Sequence, residues 1–218
     1  LSAAGGLQGA SNGTARMAIK VIVFDFDGTL IDSNPLKYDA YFDLFPNDEW
    51  HAQTIRQLLS EIFEESRFVI LEEILKRLGD NTGMDLKLKA RKLAERYNDI
   101  VLAGAKTCSE KPGAQKALAA LVRQYKLYLS STSPDSALKE IIHFRNWDSY
   151  FEGIFGYPNE KSRTLQHIME QENVASFEVL VVGDGESDRK SALENSCPFI
   201  HVSGNFHFEE LENSIAHL

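Results

Sequence analysis

The chain has 218 residues, of which 43% are hydrophobic and 25% charged, enough apolar material for one compact unit or for a core with a modest insertion. Its net charge of −9 argues against a general electrostatic attraction to nucleic acid, so an anionic ligand requires a local basic pocket, and no apolar stretch approaches the roughly 20 residues that span a bilayer. Cys108 and Cys197, the two cysteines, have neither the spacing of a zinc site nor the density of a disulfide scaffold, which implies a reduced, cytoplasmic setting.

Residues 1–16 are rich in Gly, Ala and Ser, lack a continuous apolar core and read as a flexible tail rather than a secretory signal. The first apolar run, 18–24, reads as a buried strand that stops at Asp25-Phe26-Asp27-Gly28-Thr29-Leu30. Side chains at i and i+2 of a strand share a face, so the carboxylates of Asp25 and Asp27 can meet one small ligand beyond the strand, and Gly28 lets the backbone turn away. From about 34 to 106 there are helical patterns, at 54–63, 69–78 and 86–101, but no strand; this stretch reads as a helical insertion. Within it Asn34, Lys37, Tyr38 and Arg67 read as helix-surface residues, although each could meet a ligand. Trp50, the aromatic run 41–45 and, further on, Trp147 are expected to pack insertion and core. The six histidines show no ligand spacing.

Lys111-Pro112-Gly113 precedes a helical pattern at 114–124 that leads into a strand at 125–130. That strand ends in Ser130-Ser131-Thr132-Ser133, and hydroxyls and unpaired backbone N–H groups at the carboxyl edge of a parallel sheet can donate to phosphoryl oxygens. Ser133, followed by Pro134 and Asp135, reads as the cap of the next helix, and Ser131 as the phosphate contact. Lys161 and Arg163 stand just ahead of a helical pattern at 165–172, where either cation could offset carboxylate and phosphate charge. The strand at 177–183 ends in Gly183-Asp184-Gly185-Glu186-Ser187-Asp188. Asp184 and Asp188 could complete an oxygen-rich magnesium site with Asp25, whereas Glu186 and Ser187 suit a helix start. Cys197, beside Pro198-Phe199-Ile200 in the last strand at 198–202, packs as a small hydrophobe, and Cys108 reads as structural. The alternation of strands and helices predicts an α/β fold with a parallel sheet.

Taken together and in this order, the four constellations resemble the signatures of haloacid dehalogenase-like phosphatases, specifically the branch of phosphoglycolate phosphatases and β-phosphoglucomutases. The resemblance spans about 18 to 202 and implies a Rossmann-like core, 17–33 and 107–218, with an inserted α-helical cap at 34–106. It also favours Lys161 over Arg163. Carried onto this chain, it implies Asp25 as nucleophile, forming an aspartyl-phosphate, and Asp27 as general acid and base. Mg2+ would be held by the Asp25 carboxylate, the Asp27 carbonyl and Asp184. Ser131, Thr132 and Lys161 would hold phosphoryl oxygens, and Asp188 would support the magnesium waters or orient Lys161.

The chain departs from common relatives at Ser162, where proline often follows the lysine, and at Gly185-Glu186, where serine is common. Asp27 argues against dehalogenation, since a departing halide needs no proton. Pro134 stands where β-phosphoglucomutases carry a basic residue, which favours hydrolysis over phosphoryl transfer to a sugar. The implied partner is a small phosphorylated metabolite, with neither nucleic acid nor membrane involved. Apart from a phosphomutase, the alternative reading is a noncatalytic regulator that binds magnesium and phosphate.

Overall fold

The computed structural model describes residues 18–63, 65–80 and 83–217, so the tail expected at 1–16 lies outside the described residues. The chain begins with β1 (Val21–Phe24) and passes into α1 (Asn34–Ala40), α2 (Glu49–Ile62), α3 (Arg67–Arg77) and α4 (Gly83–Thr107). It returns through α5 (Ala114–Leu121), β2 (Lys126–Pro134), α6 (Asp135–Phe144) and β3 (Gly153–Tyr157). It then continues through α7 (Lys161–Glu172), β4 (Val179–Gly183), α8 (Glu186–Glu194), β5 (Phe199–His201) and α9 (Leu211–Ala216). All the strand pairs are parallel and the order is β3-β2-β1-β4-β5, the expected α/β sheet.

Val-rich β1 and β4 are buried throughout, as central parallel strands covered on both faces must be. Alternate residues serve opposite faces. Ile22, Phe24, Leu129 and Val182 pack with Leu118, Leu138 and Leu211 of α5, α6 and α9. Val21, Val23, Tyr128 and Val181 pack with Leu165, Ile168 and Ala192 of α7 and α8 on the other side, where Cys197 is buried as expected. The strand β3 had no counterpart in the sequence reading. It is an edge strand of sequence GIFGY, buried only at Gly156, so the continuous apolar run that marks the central strands is missing.

The inserted helices α1 to α4 build a separate apolar cluster around Tyr41, Leu58, Leu71, Ile74 and Ala94. Helix α2 starts at Glu49, ahead of the expected 54, because Asp48 caps it by accepting the His51 N–H at 3.0 Å. Helix α4 runs well past the expected 86–101 on both sides. The aromatic expectation needs correction. Tyr41 packs inside the insertion rather than against the core, and Trp50 is 56% exposed; only Trp147 is buried in the sheet's own cluster.

Chain enters and leaves the insertion side by side. Asp32 N–H donates to the Ser109 carbonyl at 2.8 Å and Lys111 N–H to the Leu30 carbonyl at 2.9 Å, with Ile31 and Glu110 bridged antiparallel between them. The Arg145 guanidinium donates to the Ala105 and Cys108 carbonyls at 2.7 and 2.6 Å, satisfying acceptors left open at the end of α4. Among the described residues no helix is long and apolar enough to cross a membrane.

Candidate active site

Strand order reverses at β1, whose neighbours are β2 on one side and β4 on the other, and ligands of such sheets bind beyond the carboxyl ends at that point. Asp25 follows β1 and Asp184 follows β4, so the topology alone brings these carboxylates together. The Asp25 N–H donates to the Val182 carbonyl at 2.8 Å, pinning the first residue beyond the strand. Lys161, the first residue of α7, donates to Asp25 Oδ1 at 2.9 Å and to Asp188 Oδ1 at 2.6 Å. Its side chain and those of both carboxylates are almost wholly buried. Arg163 is 82% exposed and pairs with Glu160, so of these two cations it is Lys161 that enters the site.

Carboxylate oxygens of Asp25, Asp184 and Asp188 all lie within 4.8 Å of one another. Two glycines make that approach possible. A Cβ on Gly28, whose φ is +75°, would stand 2.2 Å from Asp184 Oδ2, and one on Gly183 would stand 2.3 Å from Asp188 Cγ. Thr29 Oγ1 donates to Asp184 Oδ1 at 2.9 Å and Asn34 Nδ2 to its Oδ2 at 3.0 Å, which orients the group. Three carboxylates with no nitrogen or sulfur donor form a set that suits magnesium. Glu186 lies in the first turn of α8, as expected of a helix start, while Asp188 Oδ2 accepts the Gly185 N–H at 3.2 Å.

Asp27 has a different set of partners. Its Oδ1 accepts from Ser33 Oγ at 2.7 Å, and its Oδ2 from Ser133 Oγ at 2.6 Å and the Lys37 ammonium at 2.8 Å, with Ser131 Oγ at 3.5 Å. Ser133 therefore does not cap α6, whose N-cap is Pro134; the hydroxyl is turned onto Asp27 instead. Ser33 likewise stands at the N-cap of α1 without a capping bond. Ser131 is buried and its Oγ accepts the Ser133 N–H at 3.1 Å, whereas Thr132 is exposed. Sequence reading also missed the inward roles of Asn34 and Lys37, taken as helix-surface residues. Their i, i+3 spacing directly after Ser33 puts them on one face of α1, and that was the available signal.

The two aspartates of the first motif are driven apart electrostatically. Burial raises Asp25 to about 7; Lys161 opposes this, and the Asp188 and Asp27 charges add to it. Burial alone would raise Asp27 too, but the Lys37 ammonium and the bonds from Lys37, Ser133 and Ser33 outweigh it and hold the carboxyl below its ordinary range. Asp188 is raised by burial, again against Lys161. A divalent cation must displace the Asp25 proton below its pKa of about 7. Magnesium affinity is thus expected to rise about tenfold from pH 6 to pH 8 and level off above, as measured by titration calorimetry. A flat profile would show that Asp25 is already ionised at pH 6.

The protein-family model described as haloacid dehalogenase-like hydrolase matches residues 22–202. The phosphoglycolate phosphatase of Photobacterium profundum is 24% identical over 198 residues, 87% of this chain and 86% of that protein. That of Vibrio cholerae is 24% identical over 206 residues, 90% of each chain. Among solved structures, a haloacid dehalogenase-like hydrolase of Streptococcus pneumoniae superposes with a TM-score of 0.64 at 22% identity, covering 89% of this chain and 90% of its own. The magnesium-bound hydrolase YfnB of Bacillus subtilis gives 0.71 at 15% identity, covering 91% and 99%, and is described as revealing interdomain movement. With its sheet order, its site and a family match over most of its length all in agreement, the chain belongs to the haloacid dehalogenase-like hydrolases.

Proposed function

We propose that this protein is a magnesium-dependent phosphomonoester hydrolase that acts on a small phosphorylated metabolite through an aspartyl-phosphate. The observation that carries the reading is the pair of unlike aspartates at one sheet edge: Asp25 beside Lys161 and the acidic cluster, Asp27 beside hydroxyls and Lys37. The named phosphoglycolate phosphatases among its relatives support a small phosphomonoester.

In this reading an Asp25 carboxylate oxygen attacks phosphorus and the ester oxygen departs with a proton from Asp27. Asp27 then takes a proton from water, which attacks the aspartyl-phosphate and releases phosphate and free Asp25. Lys161, Ser131 and Thr132 hold phosphoryl oxygens. Asp25, the Asp27 carbonyl and Asp184, with Asp188 in support, would hold Mg2+, which when bound offsets the repulsion between carboxylate and phosphate. The Lys37 contact keeps Asp27 ionised, which suits the second half of the cycle. For the first half Lys37 must leave Oδ2 so that Asp27 can carry a proton to the leaving oxygen. Residues 34–106 act as the cap, closing over the core formed by 17–33 and 107–218 and excluding bulk water.

The test is phosphate release from a panel of phosphomonoesters, with magnesium and with chelator. Magnesium-dependent release supports the reading, and no release from any member overturns it. Asp27→Asn is expected to lower turnover about 10²- to 10³-fold. With p-nitrophenyl phosphate, whose leaving group needs no proton, this variant is expected to release about one nitrophenolate per protein and then stall as a hydroxylamine-labile phosphoenzyme. Steady turnover without a burst would remove Asp27 from the hydrolytic step.

A further inference from the structure

The two oxygens of Asp184 are held from different parts of the chain. Thr29, which donates to Oδ1 at 2.9 Å, lies in the turn after β1, ahead of the paired segments at 30–32 and 109–111. Asn34, which donates to Oδ2 at 3.0 Å, is the first residue of α1 and belongs to the insertion. Gly28 leaves room for this second contact, since a Cβ there would stand 2.3 Å from Asn34 Nδ2 as well as 2.2 Å from Asp184 Oδ2. Helix α1 is in turn fastened to α4. Leu36 lies so closely over Gly104 that a Cβ there would stand 2.6 Å from its side chain, and the Tyr97 hydroxyl donates to the Lys37 carbonyl at 3.1 Å. The Asn34 amide is therefore placed by the inserted helices, whereas Asp184 is placed by the sheet.

A carboxylate held on one oxygen alone can turn about its Cβ–Cγ bond, and a donor on the other oxygen fixes it. Partners that orient a ligating group in this way are worth about 10- to 100-fold in metal affinity. We propose that Asn34 is a positioning residue through which the inserted helices govern the divalent-cation site: Asp184 is held ready to ligate only while α1 sits against the sheet edge, so cation binding and the seating of α1 strengthen each other. The amide suits this role. Being neutral, it fixes the carboxylate without competing with a cation for its charge, and one N–H leaves lone pairs on Oδ2 for ligation. The coupling is reciprocal, because a cation that favours the held carboxylate favours seated α1 by the same factor. This inference rests on the magnesium-dependent reading and adds a control on that same site from outside the acidic cluster.

Magnesium is titrated calorimetrically, and amide hydrogen exchange in α1 is followed with and without saturating magnesium. Asn34→Ala is expected to weaken magnesium binding about tenfold. Alanine favours a helix and no capping bond is lost with Asn34, so the variant keeps α1. In the unsubstituted protein magnesium is expected to slow exchange of the α1 amides by up to the same tenfold, among them the Lys37 N–H that donates to the Ser33 carbonyl at 2.8 Å. In Asn34→Ala magnesium is expected to change that exchange by no more than about twofold. Thr29→Val, which removes the other donor to Asp184, is expected to weaken binding as well but to keep the magnesium-dependent protection of α1, since Asn34 still holds Oδ2. Unchanged affinity in Asn34→Ala, α1 exchange that ignores magnesium in the unsubstituted protein, or protection lost equally in both variants overturns the coupling and leaves the metal site standing. No magnesium binding by the unsubstituted protein removes the site itself and the coupling with it.

Discussion

Asp25→Asn is expected to reduce magnesium-dependent phosphate release by about 10⁴-fold or more, since an amide supplies no carboxylate oxygen to attack phosphorus and the remaining groups have nothing to act through. The fold is expected to survive. Asp25 is buried, its ionised form is already disfavoured there, and a neutral isostere removes repulsion with Asp188 and Asp27. The melting temperature at pH 8 should therefore be no lower than that of the unsubstituted protein. Activity within about 100-fold of the original would assign the nucleophile elsewhere.

Lys161→Met is expected to damage both activity and stability. The ammonium is the shared partner of Asp25 and Asp188, and its own pKa is raised because attraction to the two carboxylates outweighs burial. Without it, two buried carboxylates face each other with no cation between them, a loss of roughly 3–5 kcal/mol for breaking a buried ion pair. The sign with pH follows from linkage. Both acids are already raised in the fold, and losing Lys161 raises them further, so the folded chain holds protons that the unfolded chain has released. The stability deficit in metal-free buffer should be small near pH 4 and grow as pH rises through about 7 and beyond, as read from denaturant midpoints. An equal deficit at all pH values would mean that the lysine acts through its hydrocarbon stem. Phosphate release is expected to fall by at least about 10³-fold through loss of charge stabilisation at the phosphoryl group.

Much of the fold was legible because central parallel strands announce themselves: the runs 21–24, 127–129 and 179–182 are unbroken apolar stretches, and each leads into a polar cluster. Edge strand β3, with two glycines in five residues and one solvent-facing side, lacks that signal. Asp25, Asp184 and Asp188 were legible as a set because their carboxylates lie in short motifs at strand ends, whereas Lys161, at a helix start, was favoured over Arg163 by family resemblance alone. Ser133, Ser33, Asn34 and Lys37 were not legible. Hydroxyls beside a helix start and polar residues on a first helical turn have ordinary uses in capping and solvation, and only the folded arrangement turns them toward Asp27 and Asp184. Trp50 errs in the other direction, a large apolar side chain left largely in solvent.

The paired backbone segments at 30–32 and 109–111 bear on how such a protein can diversify. To the sheet, everything between them is a loop whose ends are already tied, so its length adds little to the entropy of closing the core. Its apolar cluster is its own, and the register of β1 against β2 and β4 involves none of its residues. Insertions and replacements beyond α1 leave Asp25, Asp27, Lys161 and the acidic cluster in place, whereas changes at Ser33, Asn34 and Lys37 reach Asp27 and Asp184 directly. Under the phosphatase reading, only the first turn of the insertion ties selectivity to chemistry, and a lineage can explore new substrates through the rest without rebuilding its catalyst.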